Sequence, residues 1–193
     1  VGCAMVLAPI FKTICDSLGT FIGWATNLQP FFMGIIISVV VGVVLTLPIS
    51  SAAICAALNL TGLAGGAAVA GCCAQMVGFA VMSFRENKWG GLVSQGIGTS
   101  MLQMGNIVRN PRIWIAPIVT SAITGPIATC LFRLQMNGTA VSSGMGTCGF
   151  VGQIGVYTGW MNDIAEGTKT AVTAMDWAGL FLISFILLSL IHI

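Results

Sequence analysis

The chain consists of long apolar runs separated by short groups of charged residues. Residues 17–84 contain no charged side chain, and a second uncharged run covers residues 113–132. A helix needs about 20 apolar residues to cross a bilayer. The pattern therefore predicts about four full crossings, at residues 30–49, 63–84, 113–132 and 173–187.

Three other segments do not fit a crossing helix. Residues 51–60 are apolar but too short, and residues 92–107 carry several glycines among polar side chains. Residues 134–155 are too rich in glycine for a stable helix and too apolar for a solvated loop. Irregular backbone inside a membrane normally lines a cavity or a substrate path. We expect re-entrant or interfacial segments at 51–60 and 134–155, and a hairpin-like or interfacial helix over 92–107.

Small residues recur at every fourth position in the first two predicted crossings. They are Gly34, Ser38, Gly42 and Thr46 in the first, and Gly62, Gly66, Ala70, Ala74 and Gly78 in the second. Such ridges let helix backbones approach closely, which is the usual basis of helix packing in lipid. We expect both ridges to face protein, and Val69 to face lipid.

Composition defines the class of protein. Charged residues make up 6% of the 193 residues and hydrophobic residues 56%, whereas a soluble domain carries about 25% charged residues. A soluble fold could not cover so much apolar surface, so the sequence predicts an all-α polytopic membrane protein whose partner is the lipid bilayer. The net charge of +2 includes no basic cluster of the kind that binds phosphates, so we expect no nucleic acid partner.

The charged residues divide into two groups along the predicted topology. One face would carry Arg85, Glu86, Lys88, Arg109 and Arg112, with Lys12 beside them if residues 30–49 cross once. The opposite face would carry Arg133, Asp163, Glu166, Lys169 and Asp176. Because cations gather on cytoplasmic loops, the first face is predicted to be cytoplasmic.

Three motifs resemble one family of transport proteins. They are SFRENKWGGLVSQGIGTSMLQMGNI at 83–107, NPRIWIAPIVTSAITGPIAT at 110–129 and GMGTCGFVGQIG at 144–155. They resemble the membrane component (EIIC) of bacterial phosphotransferase sugar transporters, and in particular the branch that includes the perfringolysin O regulator. The resemblance is strongest over residues 82–173.

The resemblance implies a multi-pass permease of the bacterial inner membrane that binds and translocates a sugar. It implies phosphorylation of that sugar by separate cytoplasmic EIIB and EIIA phosphocarrier proteins, a homodimer, and no cofactor. We expect residues 1–187 to be an EIIC-like domain truncated at both ends. Residues 188–193 resemble the translation of a sequencing-library adapter, which predicts a non-native tail.

Two other functions remain open. A membrane sensor or regulator without transport is the first, since the resembling branch is named for a regulatory effect. An ion channel or ion-coupled exchanger is the second, and the absence of acids from the predicted crossing helices argues against it.

A sugar site needs side chains that hydrogen-bond hydroxyl groups, together with an aromatic ring. The candidate substrate contacts are Gln95, Asn106, Asn137, Gln153 and Tyr157, with Trp114 or Trp160 as the ring. Trp160 is equally typical of an interfacial anchor. Asn59 and Gln75 are either packing hydrogen-bond partners or further contacts. We expect the pocket where residues 137–157 meet residues 86–106.

The family resemblance also implies an acidic residue that engages the hydroxyl to be phosphorylated. Glu86 and Glu166 are the only glutamates, and Glu86 is our candidate catalytic residue. The alternative interpretation is that Glu86 belongs to an ordinary charged helix end, formed with its neighbours Arg85 and Lys88.

Gly144, Gly146 and Gly149 match the G-x-G-x-x-G pattern of dinucleotide-binding proteins. No predicted strand precedes them, so the pattern favours a re-entrant loop that presents backbone groups to a cavity. The seven cysteines form no CxxC pair and have no histidine at ligand spacing, which predicts no metal site.

Overall fold

The computed structural model describes residues 2–167 and 170–186, with side chains from residue 12 onward. Lys169 and the suspected tail at 188–193 lie outside the described residues. Every named element in the described part is helical, as the sequence predicted. The α-helices are α1 Gly2–Leu28, α2 Pro30–Thr46, α3 Ser51–Ala57, α4 Gly62–Val93, α5 Met104–Arg109, α6 Ile115–Pro126, α7 Ala140–Ser143, α8 Val151–Ala165 and α9 Ala174–Phe181. Short π- and 3₁₀-helical turns lie at Ser94–Gly98, Ser100–Gln103, Pro111–Trp114, Ile127–Leu131, Cys148–Phe150 and Leu182–Ile186.

Residues 64–80 of helix α4 lie at the centre of the structure and are buried all round, whereas residues 84–90 are exposed. The small residues of α4 allow this burial, because added side-chain atoms at Gly66 and Gly71 would overlap the carbonyls of Leu134 and Ser38. Val69 is 0% exposed, so the prediction that it faces lipid is wrong. The reason is that α2 and α6 cover one side of α4, while residues 132–136, α8 and the last helix cover the other.

Helices α2 and α6 pack against each other along small residues. Gly34 lies against the Gly125 carbonyl and Thr129, and the Ser38 hydroxyl donates to the Ser121 carbonyl at 2.7 Å. The order of these contacts makes the two helices antiparallel. All four ridge residues of α2 are buried, which confirms that this ridge faces protein.

The chain reverses direction at Lys88, whose backbone is non-helical with φ of 51° and ψ of −143°. The following segment runs back along α4, where Gly91 lies close to Ser83 and Gly96 close to Ala80. It reaches the middle of α4 at Ser100, whose hydroxyl is 3.2 Å from that of Thr46. The predicted hairpin-like segment is therefore present.

A second reversal follows α2, which runs parallel to α4 and ends at Thr46, beside the mid-helix residue Gln75. Helix α3 then carries the chain back to the start of α4 at Gly62. Lys12 consequently lines a cavity with Asn59 and Ala64 at that end of α4, far from Arg85. The prediction that Lys12 shares the face of Arg85 is wrong, because it assumed that the chain stays on the far side after α2.

Four full crossings are not shown. Among the described residues, two helices are long and apolar enough to cross a membrane: Gly62–Gly98, which contains the reversal at Lys88, and Pro111–Leu131. The helices Pro30–Thr46 and Ala174–Ile186 are apolar but shorter. The break after Thr46 explains the shorter first helix, because it divides an apolar run that the sequence presents as continuous.

Candidate functional site

A cavity of about 250 Å³ opens beside the C-terminal part of α4, before the reversal at Lys88. We call it the Glu86 cavity. Its lining combines one acid, two amides and a hydroxyl with apolar side chains, namely Phe79, Met82, Ser83, Glu86, Gln103, Asn106 and Ile113. Two residues proposed from the sequence, Glu86 and Asn106, are thus brought together.

Helical spacing explains how this wall forms. Positions 79, 83 and 86 of α4 are three or four residues apart and share one face. Opposite them, the Asn106 amide donates to Oε1 of Gln103 at 2.8 Å, which joins the 3₁₀ turn to α5. Sequence analysis did not identify Gln103 and Ser83 as site residues. Gln103 lies three residues from Asn106, and Ser83 lies three residues from Glu86. This helical spacing is the signal that could have predicted both.

A network of hydrogen bonds lies deeper along the same face of α4, around Gln75. Oε1 of Gln75 accepts from the Trp114 indole at 3.2 Å and from the Thr46 hydroxyl at 3.4 Å, and its Nε2 donates to the Ser121 hydroxyl at 3.5 Å. These bonds join α2, α4 and α6. Gln75 therefore acts as a packing hydrogen-bond partner, one of the two alternatives open from the sequence.

Gln95 differs from Gln75 in that its carbonyl is unused. The side chain is 4% exposed, and its Oε1 has no hydrogen-bond partner among the described residues. It lies on the π-helical turn Ser94–Gly98, which contacts the turn Cys148–Phe150. A buried acceptor without a partner costs about 1–3 kcal/mol, so this position favours a ligand that donates a hydrogen bond.

Gln153 carries a second unused carbonyl, one helical turn beyond Cys148–Phe150. Its Nε2 donates to the Ser184 hydroxyl at 3.1 Å, while its buried Oε1 has no partner in the described part of the chain. The turns Ser94–Gly98 and Cys148–Phe150 contact each other, so the two broken segments meet. No residue of 137–157 lines the Glu86 cavity, so a pocket shared by the two segments stays a prediction.

The structure does not bring Asn137 and Tyr157 to this place. The Asn137 amide donates to both carboxylate oxygens of Asp163, at 3.0 and 2.9 Å. It follows Met136, which pairs with Gly62 at the opposite end of α4. Tyr157 is exposed, with its ring 5.8 Å from that of Trp177. A sugar contact at either residue stays a prediction, and it would lie apart from Glu86.

The two tryptophans proposed as a stacking ring have different surroundings. Trp160 is 2% exposed within the hydrophobic core, so it is neither an interfacial anchor nor an open ring surface. Trp114 follows Ile113 of the Glu86 cavity and is partly exposed. Of the two, Trp114 is the residue next to the site.

The glycine motif serves close packing. Gly144 lies against the Ser51 backbone and Gly146 against that of Cys72. Their carbonyls already accept hydrogen bonds, Gly144 from the Ser51 hydroxyl and Gly146 from the Gly152 amide. Gly149 is exposed with φ of 53°, a conformation that favours glycine. At Gly144 and Gly146 the loop therefore does not present free carbonyls to a cavity.

A buried central helix, flanked by broken helices that contact each other, is typical of membrane transport proteins. The family described as "Phosphotransferase system, EIIC" matches residues 1–192. The chain therefore belongs to this family, whose members are membrane components of phosphotransferase systems. No curated protein and no solved structure matches the chain.

Proposed function

We propose that the chain is the part of a sugar permease that binds and translocates a sugar for phosphorylation by a separate EIIB protein. Family membership supports this role in general terms. The observation that supports a sugar contact is the pair of carbonyls on Gln95 and Gln153, which have no partner among the described residues; the Glu86 cavity, whose lining includes neither glutamine, is a separate observation. The same proposal includes two further points: the protein forms a homodimer, and it belongs to the branch that includes the perfringolysin O regulator.

The two glutamines supply the kind of contact that a sugar requires. A sugar is rich in hydroxyl donors, and each buried Oε1 lacks one donor. A hydroxyl bonded there would recover the desolvation cost that the carbonyl otherwise carries. Nε2 of Gln153 is already held by Ser184, which orients its carbonyl.

Glu86 is the proposed proton acceptor, and its exposed carboxylate lines a cavity with two amides. During transfer, the sugar hydroxyl oxygen forms a bond to phosphorus of the EIIB phosphocysteine. The sulfur–phosphorus bond breaks, the cysteine leaves as a thiolate, and the hydroxyl proton passes to the Glu86 carboxylate. A positioned base typically contributes about 10²–10⁴-fold to such a rate.

Gln95→Leu tests the binding site. Leucine keeps similar volume and removes the unused carbonyl, so folding stability should stay equal or rise. Sugar binding to the full-length carrier in membranes should weaken about ten- to a hundredfold, as expected for one lost hydrogen bond of about 1–3 kcal/mol.

Gln135→Leu is the matched control, because Gln135 is exposed. Unchanged sugar affinity in Gln95→Leu would remove Gln95 from the site. A wild-type protein that supports neither sugar uptake nor phosphorylation, yet changes gene expression in response to a sugar, would favour the regulator instead.

A further inference from the structure

Helix α1 has two different faces. Ile14, Leu18, Phe21 and Trp24 are exposed on one side and resemble a lipid-facing surface. On the other side, Lys12, Asp16, Gly19, Thr20 and Gly23 line a cavity of about 560 Å³. We call it the α1 cavity. Its volume lies within the range of about 300–1,000 Å³ that is usual for small-molecule sites.

The charged side chains stand in an unusual position for a membrane helix. Helix α1 is 27 residues long, which is sufficient for a crossing, and Asp16 lies near its middle. Ionisable residues inside such helices normally face a water-filled cavity and mark a substrate or ion path.

The opposite wall of the α1 cavity is the corner between α3 and α4, which supplies Asn59, Leu60, Thr61 and Ala64. Gly19 fixes α1 against this corner, because any side chain there would overlap the Leu58 carbonyl. Asn59 ends α3 in a left-handed conformation with φ of 47°. The cavity is thus formed by two elements in close backbone contact.

The lining indicates which chemistry it can bind. Lys12 offers three donors, the Asp16 carboxylate only acceptors, and the Asn59 amide both. The two charges are opposite, so the cavity has no net preference for an anion or a cation. Adjacent donors and acceptors with balanced charge suit a neutral ligand with several hydroxyl groups.

We propose that the α1 cavity is a second binding site for a neutral polyhydroxylated molecule, separate from the Glu86 cavity. Ala64 and Glu86 are about 33 Å apart along α4 at 1.5 Å per residue, so one small molecule cannot occupy both places. The ligand would be the transported sugar before it is phosphorylated. Only this identification of the ligand rests on the proposed function.

Thiol protection tests this site in the full-length carrier in membrane vesicles. Thr61→Cys in a cysteine-free background is labelled with a maleimide, with and without glucose, mannitol, lactose and any sugar that the carrier phosphorylates. At least one of these sugars should slow labelling about fivefold or more. Asp16→Asn should abolish the protection, whereas Glu86→Gln should leave it unchanged.

Ser17→Cys is the matched control, because Ser17 is exposed on α1 and does not line the cavity. Thr20→Cys replaces Thr61→Cys if the latter fails to fold, because Thr20 also lines the cavity. A carrier that phosphorylates a sugar without protecting either cysteine from labelling would overturn the second site. Protection without phosphorylation of any sugar would support the second site and contradict the proposed function.

Discussion

Gln75 and Gln95 are both buried glutamines, yet they differ in hydrogen bonding. Gln75 joins three helices through Thr46, Trp114 and Ser121, and its loss would leave the Trp114 indole N–H without its acceptor among the described residues, whereas Thr46 and Ser121 would keep other partners. The carbonyl of Gln95 has no partner to lose among the described residues. The same substitution should therefore affect folding at one position and ligand binding at the other.

Gln75→Leu is expected to lower the free energy of unfolding by about 1 kcal/mol, because the partly buried Trp114 indole N–H loses its acceptor. Gln95→Leu should not destabilise the protein. The difference is checked by measuring the thermal unfolding of both variants in detergent. Equal destabilisation would show that the two side chains have the same structural role.

Among the elements, the hairpin-like segment over residues 92–107 and the small-residue ridge of α2 could be predicted, because glycine content and spacing are local signals. A re-entrant or interfacial segment at 51–60 could be predicted from its short apolar run, but the return of the chain through α3 to the start of α4 could not. The return depends on distant contacts, such as the Ser51 hydroxyl with the Gly144 carbonyl, and the uncharged run over residues 17–84 gives no local sign of direction. The central position of α4 was missed for the same reason.

Gly71→Ala tests the packing of α2 against α4. The added methyl group would overlap the Ser38 carbonyl, and such overpacking costs about 1–3 kcal/mol. Gly105→Ala is the control, since nothing lies within 4 Å of its added Cβ and alanine is the better helix former. The unfolding midpoint in detergent should fall for the first and stay or rise for the second. A fall of equal size in both would contradict the close approach of the two helices.

At the level of the entire protein, the charged groups lie at two ends of α4. Arg85, Glu86 and Lys88 follow its last buried turns, whereas Arg133 precedes Leu134, which packs on Gly66 near its start. The sequence predicted this division for these groups, because charges flank apolar runs, but it placed Lys12 at the wrong end. It did not predict that Asn137 joins Asp163 at the second end, since their separation by 26 residues carries no local signal.

Cysteine labelling tests the orientation that the cations predict. Lys88→Cys and Glu166→Cys both replace exposed residues and should react from opposite sides in a cysteine-free background. An impermeant reagent added outside intact cells should label position 166 and not position 88, because cations favour the cytoplasmic side. Labelling at 88 with none at 166 would reverse the orientation.

The most direct measurement is phosphoenolpyruvate-dependent phosphorylation of sugars by membranes that contain the full-length carrier and its EIIB and EIIA proteins. Wild-type membranes should form a sugar phosphate. Glu86→Gln should bind the sugar with an affinity within a fewfold of wild type. Its phosphorylation rate should fall about 10²–10⁴-fold. Glu166→Gln should keep both activities, because Glu166 follows α8 near the other end of α4. Wild-type phosphorylation by Glu86→Gln, or no sugar phosphate from the wild-type protein, would contradict the account.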